Sequence, residues 1–193
     1  NCDGAVGVIF NETITPTACD QEYTITRTWE TVDCSGNANF AMQTITVEDT
    51  TAPAFVEALP ADLMVECDAV QAAEVLTSTD NCDDASSVSM TEEVTNQTCA
   101  GAYTLTRTWT ATDCAGNETD HVQTITVIDT TAPVIDVAAA DATAECDGAG
   151  NSDALSAWLA SNGGASASDA CSGVTWSNDF AALSDDCGAT GMA

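Results

Sequence analysis

Along Tyr103-Thr-Leu-Thr-Arg-Thr-Trp-Thr-Ala-Thr, large and small side chains alternate with a period of two, and Gln123-Thr-Ile-Thr-Val-Ile repeats the alternation. A period of two sends successive side chains to opposite faces of an extended chain, so both segments predict strands with one buried face. Between them, Asp113-Cys-Ala-Gly-Asn carries turn chemistry: the aspartate accepts bonds from its own downstream backbone, and Gly-Asn tolerates positive φ. The pair predicts a β-hairpin, and a further strand is expected over Val88–Val94. One segment breaks the pattern. In Ser152-Asp-Ala-Leu-Ser-Ala-Trp-Leu-Ala-Ser-Asn-Gly-Gly, Leu155, Trp158 and Leu159 fall at helical spacing behind a Ser cap and ahead of a stop at Gly163, predicting one short helix on the edge of a sandwich.

The strand pattern occurs twice. Tyr23–Phe55 (YTITRTWETVDCSGNANFAMQTITVEDTTAPAF) matches Tyr103–Ile135 (YTLTRTWTATDCAGNETDHVQTITVIDTTAPVI) at an offset of 80, with 20 of 33 positions identical. That internal repeat decides the architecture. The cysteines keep the offset: Cys2, Cys19 and Cys34 correspond to Cys82, Cys99 and Cys114, and Cys67 has its counterpart in Cys146. Four cysteines per repeat follow. The chain divides into the C-terminal part of one repeat (1–52), a complete repeat (53–132) and the N-terminal part of a variant repeat (133–193) with Cys146, Cys171 and Cys187. Short threonine-rich strands, regular turns and a unit near 80 residues predict an all-β fold of tandem immunoglobulin-like sandwiches, disulfide-stapled, with the short helix in the third repeat. Asp49-Thr-Thr-Ala-Pro53 and Asp129-Thr-Thr-Ala-Pro133 are the seams, where proline ends a strand and stiffens the passage to the next repeat. Stiff junctions suit a rod.

Composition narrows the function. There are 31 acidic residues against two arginines and no lysine, a net charge of -29. Nothing here neutralises phosphate, so nucleic acid is excluded as a partner, and no basic amphipathic stretch exists to hold an anionic membrane. Lysine chemistry, including lysine–asparagine isopeptide bonds, is excluded too. A compact state with this charge repels itself unless divalent cations or salt screen it. Ten cysteines at recurring positions read as disulfides in an oxidising compartment. With one histidine and no CxxC pair, zinc is a poor fit. No signal peptide or transmembrane run is evident, and the start at Asn1-Cys2-Asp3 reads as a window on a longer array.

Disulfide connectivity is constrained by reach. Cys99 and Cys114 flank a strand of about ten residues, which at about 3.3 Å each holds them roughly 30 Å apart, whereas a bridge needs α-carbons within about 7 Å. The same reasoning separates Cys82 from Cys99. Cys82 with Cys114 and Cys67 with Cys99 remain, and the rival is Cys67 with Cys82 and Cys99 with Cys114 through a bent strand. Repeat symmetry would then join Cys2 to Cys34 and send Cys19 and Cys171 to partners outside the chain, with Cys146 and Cys187 counted as further half-cystines.

Arg27 and Arg107 lie on the same strand face as the tyrosine and tryptophan of their repeats. Each guanidinium is expected to stack on Trp29 or Trp109 and to pair with a carboxylate, a structural role. His121 is matched by Ala41 in the other repeat and reads as a surface residue. Calcium is the one ligand the sequence argues for, through Asp80, Asp83, Asp84, the seam residues Asp49 and Asp129, and Asp147, because clustered carboxylates suit a hard cation. None of these runs fits the EF-hand pattern, and solvated turn residues are the alternative. Sequons stand at Asn11, Asn96 and Asn117. No phosphate loop, metal-binding histidine pair or nucleophile elbow is present, so no catalytic residue is assigned.

The motifs YTxTRTWxxxDCxGN and QTITVxDTTAP resemble the repeats of very large cell-surface proteins of Bacteroidota, similar to hyalin-repeat immunoglobulin-like domains; AWLASNGGASASDACSGVTWSNDF is similar to a variant of that class. The resemblance covers essentially the whole chain. It implies an immunoglobulin-like fold, export to a bacterial surface or beyond, and adhesive or matrix roles. In that lineage Thr50 and Thr130 resemble O-glycosylation acceptors.

The reading that follows is a non-enzymatic repeat segment of an extracellular filament or large surface adhesin, partnered by neighbouring repeats or copies of itself. A calcium-dependent glycan- or surface-binding module is the alternative, for which exposed aromatics would speak, with Trp158 and Trp176 as the candidates. The stalk of a secreted multidomain enzyme is a third.

Overall fold

A computed structural model describes residues 7–19, 21–83, 86–143 and 152–178. The fold is all-β with one short helix. Strands β1 (Val8–Pro16), β2 (Tyr23–Val32) and β3 (Ala38–Val47) form an antiparallel sheet in that order. In the next repeat, β4 (Ala54–Phe55) pairs with β6 (Ser78–Thr79), while β5 (Leu63–Glu66), β7 (Ser87–Cys99), β8 (Ala102–Thr112) and β9 (Glu118–Ile128) make a four-stranded sheet in the order β5-β9-β8-β7. Finally β10 (Val134–Val137) pairs antiparallel with β11 (Ser166–Ser168), and α1 (Ser152–Ala160) lies between them in sequence. The expected hairpin is β8–β9, and the strand expected at Val88–Val94 lies within the longer β7.

Two compact units gather these elements. One comprises Asn1–Asp62, Ala72–Glu93 and Thr106–Thr124; the other comprises Leu63–Gln71, Val94–Leu105 and Ile125–Ala193. In the first, Trp109 is 1% exposed and Ala111, Leu76 and Pro53 are buried with it. The segment packed here has little regular structure, so its carbonyls need donors from elsewhere. The Trp109 indole supplies one to the Glu74 carbonyl at 3.0 Å, and the Gln123 amide another to Ala61 at 2.7 Å. His121 supplies a third. Its Nε2 stands 2.8 Å from the Pro60 carbonyl and its ring lies 5.8 Å from that of Trp109. The surface role expected for His121 is therefore corrected: two residues before buried Gln123, it falls on the inward face of β9, and the Ala41 counterpart concealed that.

The second unit centres on Leu105, Ile125 and Val127, with Val65, Cys67, Val70 and Tyr103 packed against them. The alternation read from the sequence puts these residues inside, since Leu105, Arg107, Trp109 and Ala111 are the buried members of β8. β5 closes the edge of the sheet, running parallel to β9 with Leu63 opposite Ile125 and Glu66 opposite Ile128. The helix falls where the spacing placed it. Gly163 stops it at φ 65°, with a position so close to Trp158 that a β-carbon there would lie 2.8 Å from the ring.

A contrast of two substitutions tests this burial. Leu105→Ala, at a site 6% exposed, should cost about 2–5 kcal/mol in urea unfolding. Met42→Ala, at a site 73% exposed, should change stability by about 0.5 kcal/mol or less.

Candidate functional site

Asp33 and Asp113 build the same turn in the two repeats. Asp113 accepts the Asn117 backbone N–H at 2.8 Å and its side-chain amide at 2.8 Å; Asp33 does the same for Asn37 at 2.8 and 2.7 Å. These turns carry Cys34 and Cys114. The Asn117 amide also donates to the Asp49 carbonyl at 3.2 Å, which ties this sequon residue to the first seam.

The cysteines pair differently from the expectation. Among the described residues, Cys114 is bonded to Cys19, with α-carbons 5.6 Å apart and a sequence separation of 95. Cys67 is bonded to Cys171 at 5.8 Å, across 104 residues. Cys82–Cys114 and Cys67–Cys99 are therefore overturned, as is their rival, and Cys82 and Cys99 are thiols. Cys19 and Cys171 find their partners within the chain. Strand reach separates cysteines within one repeat, whereas both bonds join one repeat to the next. Local contacts bring the first pair together: the Cys114 N–H donates to Asp83 at 2.8 Å, and its sulfur lies 3.9 Å from the Ala18 carbonyl. Cys2, Cys146 and Cys187 lie outside the described residues, and with Cys2 the expected partner of Cys34.

Of the residues read as cation ligands, the structure brings Asp49 and Asp80 together with Cys82, and Asp129 together with Asp169 and Cys171, each set with one ligand atom per residue within 4.8 Å of the others. The sets are equivalent. In each, a seam aspartate bonds the amide two residues on, Asp49 to Thr51 and Asp129 to Thr131. In each, the other aspartate receives the N–H groups of the next turn, Asp80 from Cys82 and Asp83, Asp169 from Cys171 and Ser172. Asp169 escaped the sequence reading because the helical insert shifts its register from 80 to 89. The signal was there: Asp169-Ala-Cys171 mirrors Asp80-Asn-Cys82. Asp83 instead faces Cys114, and Asp84 and Asp147 lie outside the described residues. Because Cys171 is spent in a disulfide, the feature common to both sets is a pair of carboxylates, which suits a hard cation rather than zinc. The Cys82 thiol is pushed up by burial and by the charges of Asp49, Asp80, Glu22 and Asp113.

Both arginines have their carboxylates. Arg107 Nε is 2.8 Å from Glu92, its side chain only 7% exposed; Arg27 Nε is 2.7 Å from Glu12, at 34%. The ring facing Trp29 is Phe10, at 5.5 Å. Thr50 is exposed, while Thr130 directs both its N–H and its hydroxyl to Glu66.

Glu92→Gln removes the charge from a pair whose guanidinium is buried and should cost about 1–3 kcal/mol. Glu12→Gln, at an open pair, should cost less than about 1 kcal/mol; chemical denaturation of both variants compares them. Acid should act on the turns. Bonds from Asn37 hold Asp33 below its usual value of 3.8. For Asp113 burial pushes upward, but the bonds from Asn117, Gly116 and Ala115 outweigh it. A carboxyl depressed on folding contributes stability above its unfolded value and loses it as pH falls through the folded one. Thermal melting should therefore show stability falling steeply below about pH 4, although protonation relieves the charge repulsion.

Residues 55–127, which hold Cys67, Cys82, Cys99 and Cys114, match the family described as HYR-like domain with 4 cysteines, an immunoglobulin-like extracellular repeat type. No curated protein matches the chain. Among the described residues no helix is long and apolar enough to cross a membrane. The central repeat of this chain is thus similar to a disulfide-bearing extracellular module.

Proposed function

We propose that this chain is a non-catalytic segment of an extracellular filament or large surface adhesin, in which repeats joined end to end hold something away from the surface that bears them. The observation that carries the reading is the pairing of Cys19 with Cys114 and of Cys67 with Cys171. Each bond crosses a seam, so tension on the chain is taken by covalent links between repeats as well as by the backbone. Export to a bacterial surface belongs to the proposal and rests on the motif resemblance alone. Calcium between the seam carboxylates belongs to it too, and is favoured by Asp169, whose Oδ2 is buried with no hydrogen-bond partner among the described residues.

A second reading, glycan binding, is favoured by one feature. Trp158 and Trp176, both partly exposed, line a cavity of about 170 Å³ with Leu159, Asn162, Ser177 and Asn178. Aromatic faces beside amide and hydroxyl groups are the chemistry that sugars require.

Single-molecule pulling separates the readings. The Cys67–Cys171 bridge removes 104 residues from the extensible path, so reduction should lengthen the unfolded contour by roughly 350 Å, at about 3.4 Å per residue. Unfolding force should fall on reduction and again when calcium is chelated. Unfolding at a force and contour length indifferent to reduction would remove the tension-bearing role.

A further inference from the structure

β3 and β9 are equivalent strands, 80 residues apart, but their free edges differ. On β9, the stretch Ile125–Ile128 is paired with β5; on β3, the matching stretch Ile45–Glu48 has no partner strand among the described residues, and β3 is an edge of its sheet. β5 leads directly into Cys67, which reaches Cys171 beside Asp129 and Asp169. At the other seam, Cys82 stands in the same position beside Asp49 and Asp80, but as a thiol. The strand that would deliver its partner is the one that β3 lacks.

The face of the first sheet says the same. Phe10, Trp29 and Ala41 are directly opposite one another, as are Ile14, Ile25 and Ile45, so they share a face, the counterpart of the one that buries Trp109 and Leu105. Phe10 and Ile14 are more than half exposed. In the complete repeat that face meets the half-repeat 53–82: Val65, Cys67 and Val70 pack against the cluster of Leu105, and the Glu74 carbonyl accepts from Trp109.

We propose that the edge of β3, this apolar face and Cys82 are one docking site for a half-repeat of the 53–82 kind, which adds a strand parallel to Ile45–Val47 and bonds its Glu-Cys-Asp cysteine to Cys82. Strand addition supplies backbone hydrogen bonds and the apolar face supplies specificity. The chain's own Cys67 is already bonded, so the cysteine belongs to a further half-repeat. Cys99 is the reciprocal half. It matches Cys19, whose partner Cys114 sits in the Asp-Cys-x-Gly-Asn turn of the following repeat. The β7–β8 turn that bears Cys99 lies at the second seam, where a β-carbon on Gly101 would come 2.6 Å from the Cys171 β-carbon. Cys99 therefore takes the turn cysteine of the next repeat, and every seam carries two inter-repeat disulfides. Each bond forms by exchange with the disulfide of a dithiol oxidoreductase: one thiolate attacks it, the second displaces the mixed disulfide, and the oxidoreductase leaves reduced with both electrons.

The inference rests on the repeat-array reading, and disulfide mapping tests it apart from that reading. Native, unreduced material is alkylated and digested at its acidic residues, since the chain has no lysine. The expected result is Cys82 linked to a peptide containing Glu-Cys-Asp and Cys99 linked to one containing Asp-Cys-x-Gly-Asn. A band that shortens on reduction in a denaturing gel places the neighbouring repeat on a second chain; an unchanged band places it on the same polypeptide. Recovery of Cys82 or Cys99 as alkylated thiols, or of a Cys82–Cys114 peptide, overturns the proposal while leaving the response to pulling intact.

Discussion

Residues 56–77 hold only four residues of strand, β5, and one turn of 3₁₀ helix at Cys67–Ala69, yet they pack on the sheet, so their backbone must be bonded by side chains or left to water. The structure answers with side chains. Trp109, His121 and Gln123, alternate members of the inward face, serve the carbonyls of Glu74, Pro60 and Ala61; Glu57 accepts two bonds from Thr77, and Asp62 accepts the Thr124 N–H. This explains why the inward face of a strand pair so regular in its alternation includes a histidine and a glutamine, while Arg107 pairs with Glu92 of β7. His121 and Gln123 are the partners of an irregular cover, and hydrophobic residues of the same size would leave part-buried carbonyls without them.

A cover held this way leaves a thin core. Among the described residues few side chains are fully buried, and the cluster around Leu105, Ile125 and Val127 is small. Covalent closure makes up the difference: loops of 95 and 104 residues each constrain the unfolded chain by about 4–5 kcal/mol in the chain-entropy account. The two loops overlap between residues 67 and 114, so their effects are not independent. Because each bond joins successive repeats, neither repeat is closed without its neighbour.

The local features were legible in the sequence and the long-range ones were not. Period-two alternation located β2, β3, β8 and β9, the Asp–Asn turn announced both hairpins, and Leu155, Trp158 and Leu159 announced the helix, because each is decided within a few residues. Disulfide partners are decided by which turns meet. The offset of 80 made cysteines equivalent without saying whether a bond stays within a repeat or crosses to the next. Asp169 was hidden by the insert, which breaks the register but not the geometry, and His121 by comparison with Ala41. Burial on β9 follows strand parity and not resemblance between repeats.

The acidity takes on a different meaning once the carboxylates are placed. Asp33 and Asp113 hold turns; Asp49 and Asp129 bond the seam amides; Asp80 and Asp169 hold the cysteine turns; Glu57, Glu66, Glu12 and Glu92 bond threonines and arginines. Bonds from threonine hold Glu57 and Glu66 below the usual glutamate range. A carboxylate is an acceptor with four lone-pair sites and no donor, which suits a chain whose turns and irregular cover leave N–H groups to be satisfied. The consequence is a net charge of -29 with no lysine to offset it, and like charges at each seam oppose the approach of the next repeat. A disulfide is indifferent to that repulsion, so covalent seams allow carboxylates to serve as the general hydrogen-bond acceptors of the fold.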